Sequence, residues 1–184
     1  MLTEQAQPGI GFLAEVCQEW EAEAAVARAL NLRVAQVRIG VVLAAPHDGG
    51  ALPQMLPAFK FGLGASLGDG TQWFPWVHVE DVVGVFHHAI FNEVVSGPIN
   101  AVAPNAVTNA EFTETLAATL HRPAFLAAPS FLLRLGLGEM ADLLLGSAHV
   151  FPAAALTTGY EFKFPVLKSA LAHLLSTPNP DTQA

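Results

Sequence analysis

Residues 33–43, Arg-Val-Ala-Gln-Val-Arg-Ile-Gly-Val-Val-Leu, form a strongly apolar run between a helical segment and the turn cluster Pro46-His47-Asp48-Gly49-Gly50. A run of this kind suits a strand covered on both faces. Parallel strands are covered that way because their crossover helices lie on the two faces of the sheet. In nucleotide-binding sheets of this design, a Gly-x-Gly-x-x-Gly turn follows the first strand and seats phosphates on a helix N-terminus. No such motif lies in the roughly thirty residues upstream of the run. The expectation is an α/β chain: the C-terminal part of a Rossmann-type parallel sheet, lacking its phosphate-binding half, plus a small, mostly helical substrate domain.

Composition narrows the choices. The 184 residues are 52% hydrophobic and only 13% charged, so part of the surface is expected to be covered by another half or a second chain. A net charge of −8 without a Lys/Arg cluster argues against nucleic acid and against anionic membranes. The most apolar stretch, Phe125 to Leu145, is broken by Pro129, Arg134, Glu139 and Asp142, so no membrane span is expected. The N-terminus lacks the basic and apolar regions of a signal peptide. The single cysteine, Cys17, excludes an internal disulfide and points to the cytoplasm; it reads as a buried apolar thiol.

Periodicity places the other elements. Val16, Trp20, Ala24, Ala27 and Leu30 form one stripe of a helix over 12–30 that Asn31 ends, while Glu15, Glu19 and Glu23 form a solvated face. A short helix is expected from Leu52 to Phe61, followed by a Gly62–Gly70 loop whose spacing does not fit a phosphate cradle. Strands are expected over 71–79 and 98–102, and a helix over 81–91. Thr108 and Glu111 form a capping box for a helix to Leu120. Further helices are expected over 131–135, with Ser130 as its cap, and over 139–145, and a short one runs from Pro152 to Gly159. The alternating run Tyr160-Glu-Phe-Lys-Phe164 reads as a half-buried strand. A last helix follows Pro165, and the tail 176–184 reads as disordered.

Trp73, Trp76 and His78 are the richest chemical cluster: two aromatic walls and a polar tip suit a small-molecule pocket. His78 reads either as a general acid or base, or as a structural histidine paired with Asp81. His87 and His88 are adjacent on a helix and face different ways, so no metal site is expected.

An ordered set of motifs adds a resemblance. It runs through Trp20-Glu21, Arg38-x-Gly40-Val41-Val42-Leu43, Gly49-Gly50, Met55-Leu56-x-x-Phe59-Lys60, Gly68-x-Gly70-x-Gln72 and Trp76-x-His78-x-x-Asp81. Gly97-Pro98-x-Asn100, Asn109-x-Glu111-Phe112 and Arg122-Pro123 continue it. Together they resemble the atypical extended short-chain dehydrogenase/reductases known as epimerase family proteins. Gly159-Tyr160-x-Phe162-x-Phe164-Pro165 is similar to the domain of unknown function that closes those chains. The resemblance implies a division at 1–110 (Rossmann remnant), 111–175 (helical domain) and 176–184 (tail).

It also implies an NAD(P) cofactor, held poorly by this chain alone, and oxidoreduction or epimerisation of a small molecule. Arg38, Gly40 and Val42 fall on the cofactor side; Gly40 reads equally as a glycine packed within a strand. Met55, Phe59, Gln72, Trp76 and His78 fall on the substrate side. Leu13 and Cys17 stand where ordinary relatives carry the Tyr-x-x-x-Lys dyad, and neither can replace a proton donor and its cationic neighbour. The competing expectation is a non-catalytic module that self-associates or pairs with another chain through an open sheet edge.

Overall fold

The computed structural model of the protein describes residues 1–124, 126–138 and 140–176. In chain order the elements are α1 (Phe12–Val26), β1 (Ala35–Ile39), β2 (Val41–Leu43), α2 (Ala51–Lys60), β3 (Ala65–Leu67), β4 (Trp73–Phe74), β5 (Trp76–His78) and α3 (Val79–Phe91). Then follow β6 (Gly97–Ala101), β7 (Val107–Thr108), α4 (Asn109–Thr119), β8 (Leu126–Ala128), α5 (Ser130–Leu137), α6 (Met140–Leu145), α7 (Ala153–Thr157) and α8 (Leu167–Ser176). The fold is mixed α/β with a parallel sheet of Rossmann type.

The apolar run 33–43 is one line of strand that changes partner at Gly40. Before it, β1 runs parallel to β6, with Ala35 opposite Gly97 and Ile39 opposite Ala101. After it, β2 runs parallel to β5, with Val41 opposite Trp76 and Leu43 opposite His78. The exchange is stitched by Gly40 N–H donating to Ala101 O at 3.1 Å and Val41 N–H donating to Pro75 O at 2.7 Å. Pro75, which lacks an N–H, breaks the expected 71–79 strand in two. β4 turns away to pair antiparallel with β7, and β5 joins the parallel sheet. The Gly62–Gly70 segment also carries β3, parallel to β8, where a loop entering a hairpin is expected.

Two apolar cores flank this line. One gathers Val85, Ala89, Ile99, Ala101 and Ala155 between α3, β6 and α7. The larger gathers Leu43, Leu56, Phe59 and Trp76 with Phe112, Leu116, Leu171 and Leu174. It crosses the expected boundary at 110, so α8 completes the core begun by β2, α2 and β5. Each fully buried leucine there contributes about 1.5–3 kcal/mol of transfer free energy.

Several local expectations need correction. The first helical segment stops at Asn31 as expected, in the left-handed region at φ 58°, but α1 buries no residue completely, and Trp20 and Leu30 are exposed. Cys17 is exposed as well, because the face that carries it looks onto a cleft. Pro129 rather than Ser130 precedes α5, and no side-chain cap bond forms there. The alternating run 160–164 is not a strand: the backbone N–H groups of Lys163 and Phe164 donate to the Asp81 carboxylate instead of to a neighbouring strand. The capping box is present in full, with Thr108 Oγ1 accepting from Glu111 N–H and Glu111 accepting from Thr108 N–H. Glu139, the expected start of the helix over 139–145, lies outside the described residues. So does the expected tail, apart from Ser176, which ends α8.

Candidate functional site

A cleft of about 670 Å³ lies between α1 and β1, lined by Cys17, Trp20, Glu21, Arg38, Gly40 and Pro75 among others. On β1, Val37 packs against the smaller core and Arg38 reaches into the cleft. There Arg38 grips Glu21 with two bonds, Nε to Oε1 at 2.6 Å and Nη2 to Oε2 at 2.7 Å. Gln36 Nε2 donates to Glu21 O at 2.7 Å. Together these contacts dock α1 on the sheet by polar bonds. The hydrogen bond from Arg38 holds the Glu21 carboxyl below its ordinary range, and Glu21 raises the guanidinium in turn.

Of the cofactor-side residues, Arg38 and Gly40 line the cleft, and Val42 is half-buried opposite Val77. A Cβ on Gly40 would strike the Pro75 carbonyl oxygen and come within 2.8 Å of Val102 Cγ1. The close approach that requires glycine is therefore made by the protein's own backbone.

None of the substrate-side residues is among those that line the cleft. Met55 packs half-buried against the larger core, and Phe59 is buried in it. Gln72 is buried and braces its own loop, donating to Leu67 O at 2.9 Å while its backbone carbonyl accepts from Asn109 N–H. Trp76 and His78 are each 1% exposed, so in this chain they are packed interior where an open pocket wall is expected. Their side chains lie on the same side of β5, beneath α8. Trp73 is drawn away to stack on His149 at 3.9 Å. Among the described residues, Trp76 Nε1 is a buried side-chain donor without an acceptor.

His78 and Asp81 do not pair with each other. His78 Nδ1 accepts from Glu80 N–H at 3.1 Å and so caps α3 itself. Its Nε2 faces His173 Nδ1 at 3.2 Å, and its ring stacks on Phe164 at 3.8 Å. Burial lowers its pKa. Asp81 is fully buried and accepts from Tyr160 Oη at 3.0 Å, Lys163 N–H at 2.8 Å and Phe164 N–H at 2.9 Å. Burial and the adjacent Asp81 raise the Tyr160 hydroxyl well above its usual range. Sequence reasoning missed Tyr160, Phe164 and His173 as partners here; the only local sign was the aromatic content of 160–164.

His78, Glu80 and His173 bring potential metal-ligating atoms within 4.8 Å of one another. The cap bond decides their chemistry. An Nδ1 that accepts a hydrogen bond leaves the imidazole proton on Nε2, the atom that faces His173. A metal would need the lone pair there. His88, further along α3, bonds Thr158 Oγ1 at 2.9 Å, while His87 is exposed against Phe91 at 4.5 Å.

An open parallel sheet, a cleft beside its strand line and a helical region clamped onto it by Asp81 define a Rossmann-type α/β protein. The chain belongs to the NAD-dependent epimerase/dehydratase family: residues 13–102 match the model of that family, and residues 128–174 match a domain of unknown function (DUF1731). It is 43% identical over 172 residues to the chloroplastic epimerase family protein SDR39U1 homolog of Arabidopsis thaliana, a match covering 94% of this chain and 49% of that one. It is 39% identical to epimerase family protein ML0860 of Mycobacterium leprae, covering 97% and 58%. The human epimerase family protein SDR39U1, solved with NADPH, superposes with a TM-score of 0.86 at 37% identity, covering 96% of this chain and 60% of that one. A nucleoside-diphosphate sugar epimerase from Corynebacterium glutamicum superposes with a TM-score of 0.76, also at 37% identity, covering 95% and 33%. The chain thus spans about half the length of the relatives it matches.

The described residues of the cleft fit only part of a dinucleotide. Its open, largely apolar wall suits a flat ring. Its opposite charges, Arg38 and Glu21, satisfy each other and leave no spare cation for a pyrophosphate among them.

Proposed function

We propose that this chain supplies the C-terminal portion of an NAD(P)-dependent oxidoreductase or epimerase-like protein acting on a small molecule. The observation that carries this reading is the superposition, over nearly the whole chain, on a relative solved with NADPH. Arg38, Gly40 and Val42 form the cofactor-side edge, with Arg38 positioned by Glu21. Met55 offers the substrate side some exposed surface, Phe59 and Trp76 lie in the core it packs against, and Gln72 and His78 hold the neighbouring loop and helix in place. With a self-satisfied Arg38–Glu21 pair in the cleft, the chain alone holds NAD(P)H weakly. The cytoplasm remains its proposed location, on the ground of a lone Cys17. No helix among the described residues is long and apolar enough to cross a membrane.

The test is calorimetric titration of NADPH into the purified chain. Heats that do not saturate at micromolar ligand are expected; micromolar affinity overturns the weak-binding claim.

A second reading is favoured by the surface of α1. Phe12, Leu13 and Trp20 are exposed on a helix without a fully buried residue, next to a half-open sheet. On this reading the chain is a non-catalytic module that self-associates or pairs with another chain. Sedimentation at several concentrations separates the two, because concentration-dependent association without any cofactor response favours the module.

A further inference from the structure

The two edges of the β1–β6 pair are finished differently. Gly97 N–H donates to Val34 O, and Gly40 N–H donates to Ala101 O. Along a strand, the backbone groups of successive residues turn to opposite edges. In this parallel register, residues 34, 36, 38 and 40 therefore serve β6, while Ala35, Val37 and Ile39 turn their N–H and C=O groups outward. Among the described residues, β6 is the only ladder partner of β1.

At the outer edge of β6 the chain closes the sheet. Pro98 brings no N–H to that edge, and Asn100 N–H donates to the buried Glu4 at 2.9 Å. A proline and a charged side chain are two of the devices that end a sheet. The outward residues of β1 are all apolar and carry no such device. Two cavities border them. The cleft of about 670 Å³ follows residues 36–40 beside α1, where Trp20 is exposed. A second cavity of about 320 Å³ lies between Ala35, Val37 and α3, walled by Phe86, Ala89 and the exposed Ile90.

We propose that the outer edge of β1 receives a parallel strand from the phosphate-binding half of a Rossmann domain, with apolar side chains that enter both cavities. The proposal rests on the reading of this chain as part of an NAD(P)-dependent protein. Both strand pairs along the 33–43 line are parallel, and sheets of this type grow by further parallel strands joined through helices. The human relative superposes on 96% of this chain, which covers only 60% of it, so that relative has further length to set against the shared fold.

The test co-expresses the full chain with the part of human SDR39U1 that the match leaves uncovered, and reads single-amide hydrogen exchange by NMR. In the chain alone, the Val37 and Ile39 amides are expected to exchange about a hundredfold faster than those of Arg38 and Gly40, which are bonded to β6. In the co-purified pair, Val37 and Ile39 are expected to slow to the level of Arg38 and Gly40. Failure to co-purify overturns the proposal, and so does a pair in which Val37 and Ile39 still exchange freely. Protection of both amides in the chain alone that is lost on dilution assigns the edge to a second copy, and overturns it too. Val37→Pro removes an outward N–H and leaves the β6 ladder intact. It is expected to abolish co-purification while the chain alone keeps its melting temperature; undiminished co-purification overturns the edge pairing. If the variant does not fold, the exchange of the native pair decides. NADPH is then added to the pair: edge protection without a cofactor response removes the oxidoreductase reading and leaves the strand pairing standing.

Discussion

The Tyr160 hydroxyl lies 3.0 Å from the Asp81 carboxylate and 3.2 Å from the Asp81 carbonyl, joining α3 to the segment that leads into α8. Asp81 is fully buried, and its carboxylate oxygens also serve two backbone N–H groups. Asp81→Asn turns one acceptor oxygen into a donor facing donors. A loss of about 2–4 kcal/mol is expected, against about 1 kcal/mol for Tyr160→Phe, because the first sets a new buried donor against a buried N–H and the second removes one hydrogen bond. Urea denaturation of both variants measures the difference; equal losses would refute the clamp.

Gly84 sits in α3, where alanine would ordinarily gain about 1 kcal/mol. Here a Cβ would strike the Tyr160 hydroxyl and lie 2.9 Å from Cζ. Overpacking of this kind costs about 1–3 kcal/mol, so Gly84→Ala is expected to destabilise despite its helix propensity. The cost should fall when Tyr160→Phe removes the oxygen. A double-mutant cycle by thermal melting reads that coupling; simple additivity would count against it.

Gly40→Ala is expected to destabilise by about 2–3 kcal/mol, since the new methyl meets the Pro75 carbonyl and Val102 inside the sheet. A glycine needed only for a ligand to approach would leave the melting temperature of the free chain unchanged. Calorimetric melting without ligand therefore decides between the two roles.

Glu21→Gln should cost about 1 kcal/mol near neutral pH, the modest value reflecting partial exposure of both partners of a two-bond pair. The Glu21 pKa is lowered in the folded state, so the native residue binds its proton at lower pH than the unfolded chain does. Its contribution is complete above the ordinary carboxylate range and is lost as pH falls through the lowered value. The gap between native protein and variant should hold steady from neutral pH down to the ordinary carboxylate range and close as pH falls below it. A gap that widens on acidification would contradict the assigned pair.

What the sequence disclosed was local or periodic. The Thr108–Glu111 box needs only three residues of spacing, and the 33–43 strand announces itself by its continuous apolar character. The partner exchange at Gly40 was half legible: Pro75 is a visible breaker, but the strand it faces lies more than thirty residues away. The run 160–164 misled because alternation reports which side chains are covered and not where the backbone bonds go; here they go to Asp81. His78 was recognisable as a residue of consequence, yet its partner on α8 was beyond any spacing rule.

The shared core also carries a schedule. Leu43, Leu56, Trp76 and Leu116 emerge first, and Leu171 and Leu174 close over them only after more than fifty further residues, several seconds at ~5–20 residues per second. Until then this core, lined by α2 and α4, lacks its last helix. A nascent chain of this design spends that interval with its most apolar surface open, and its yield in the cell depends on what shields it.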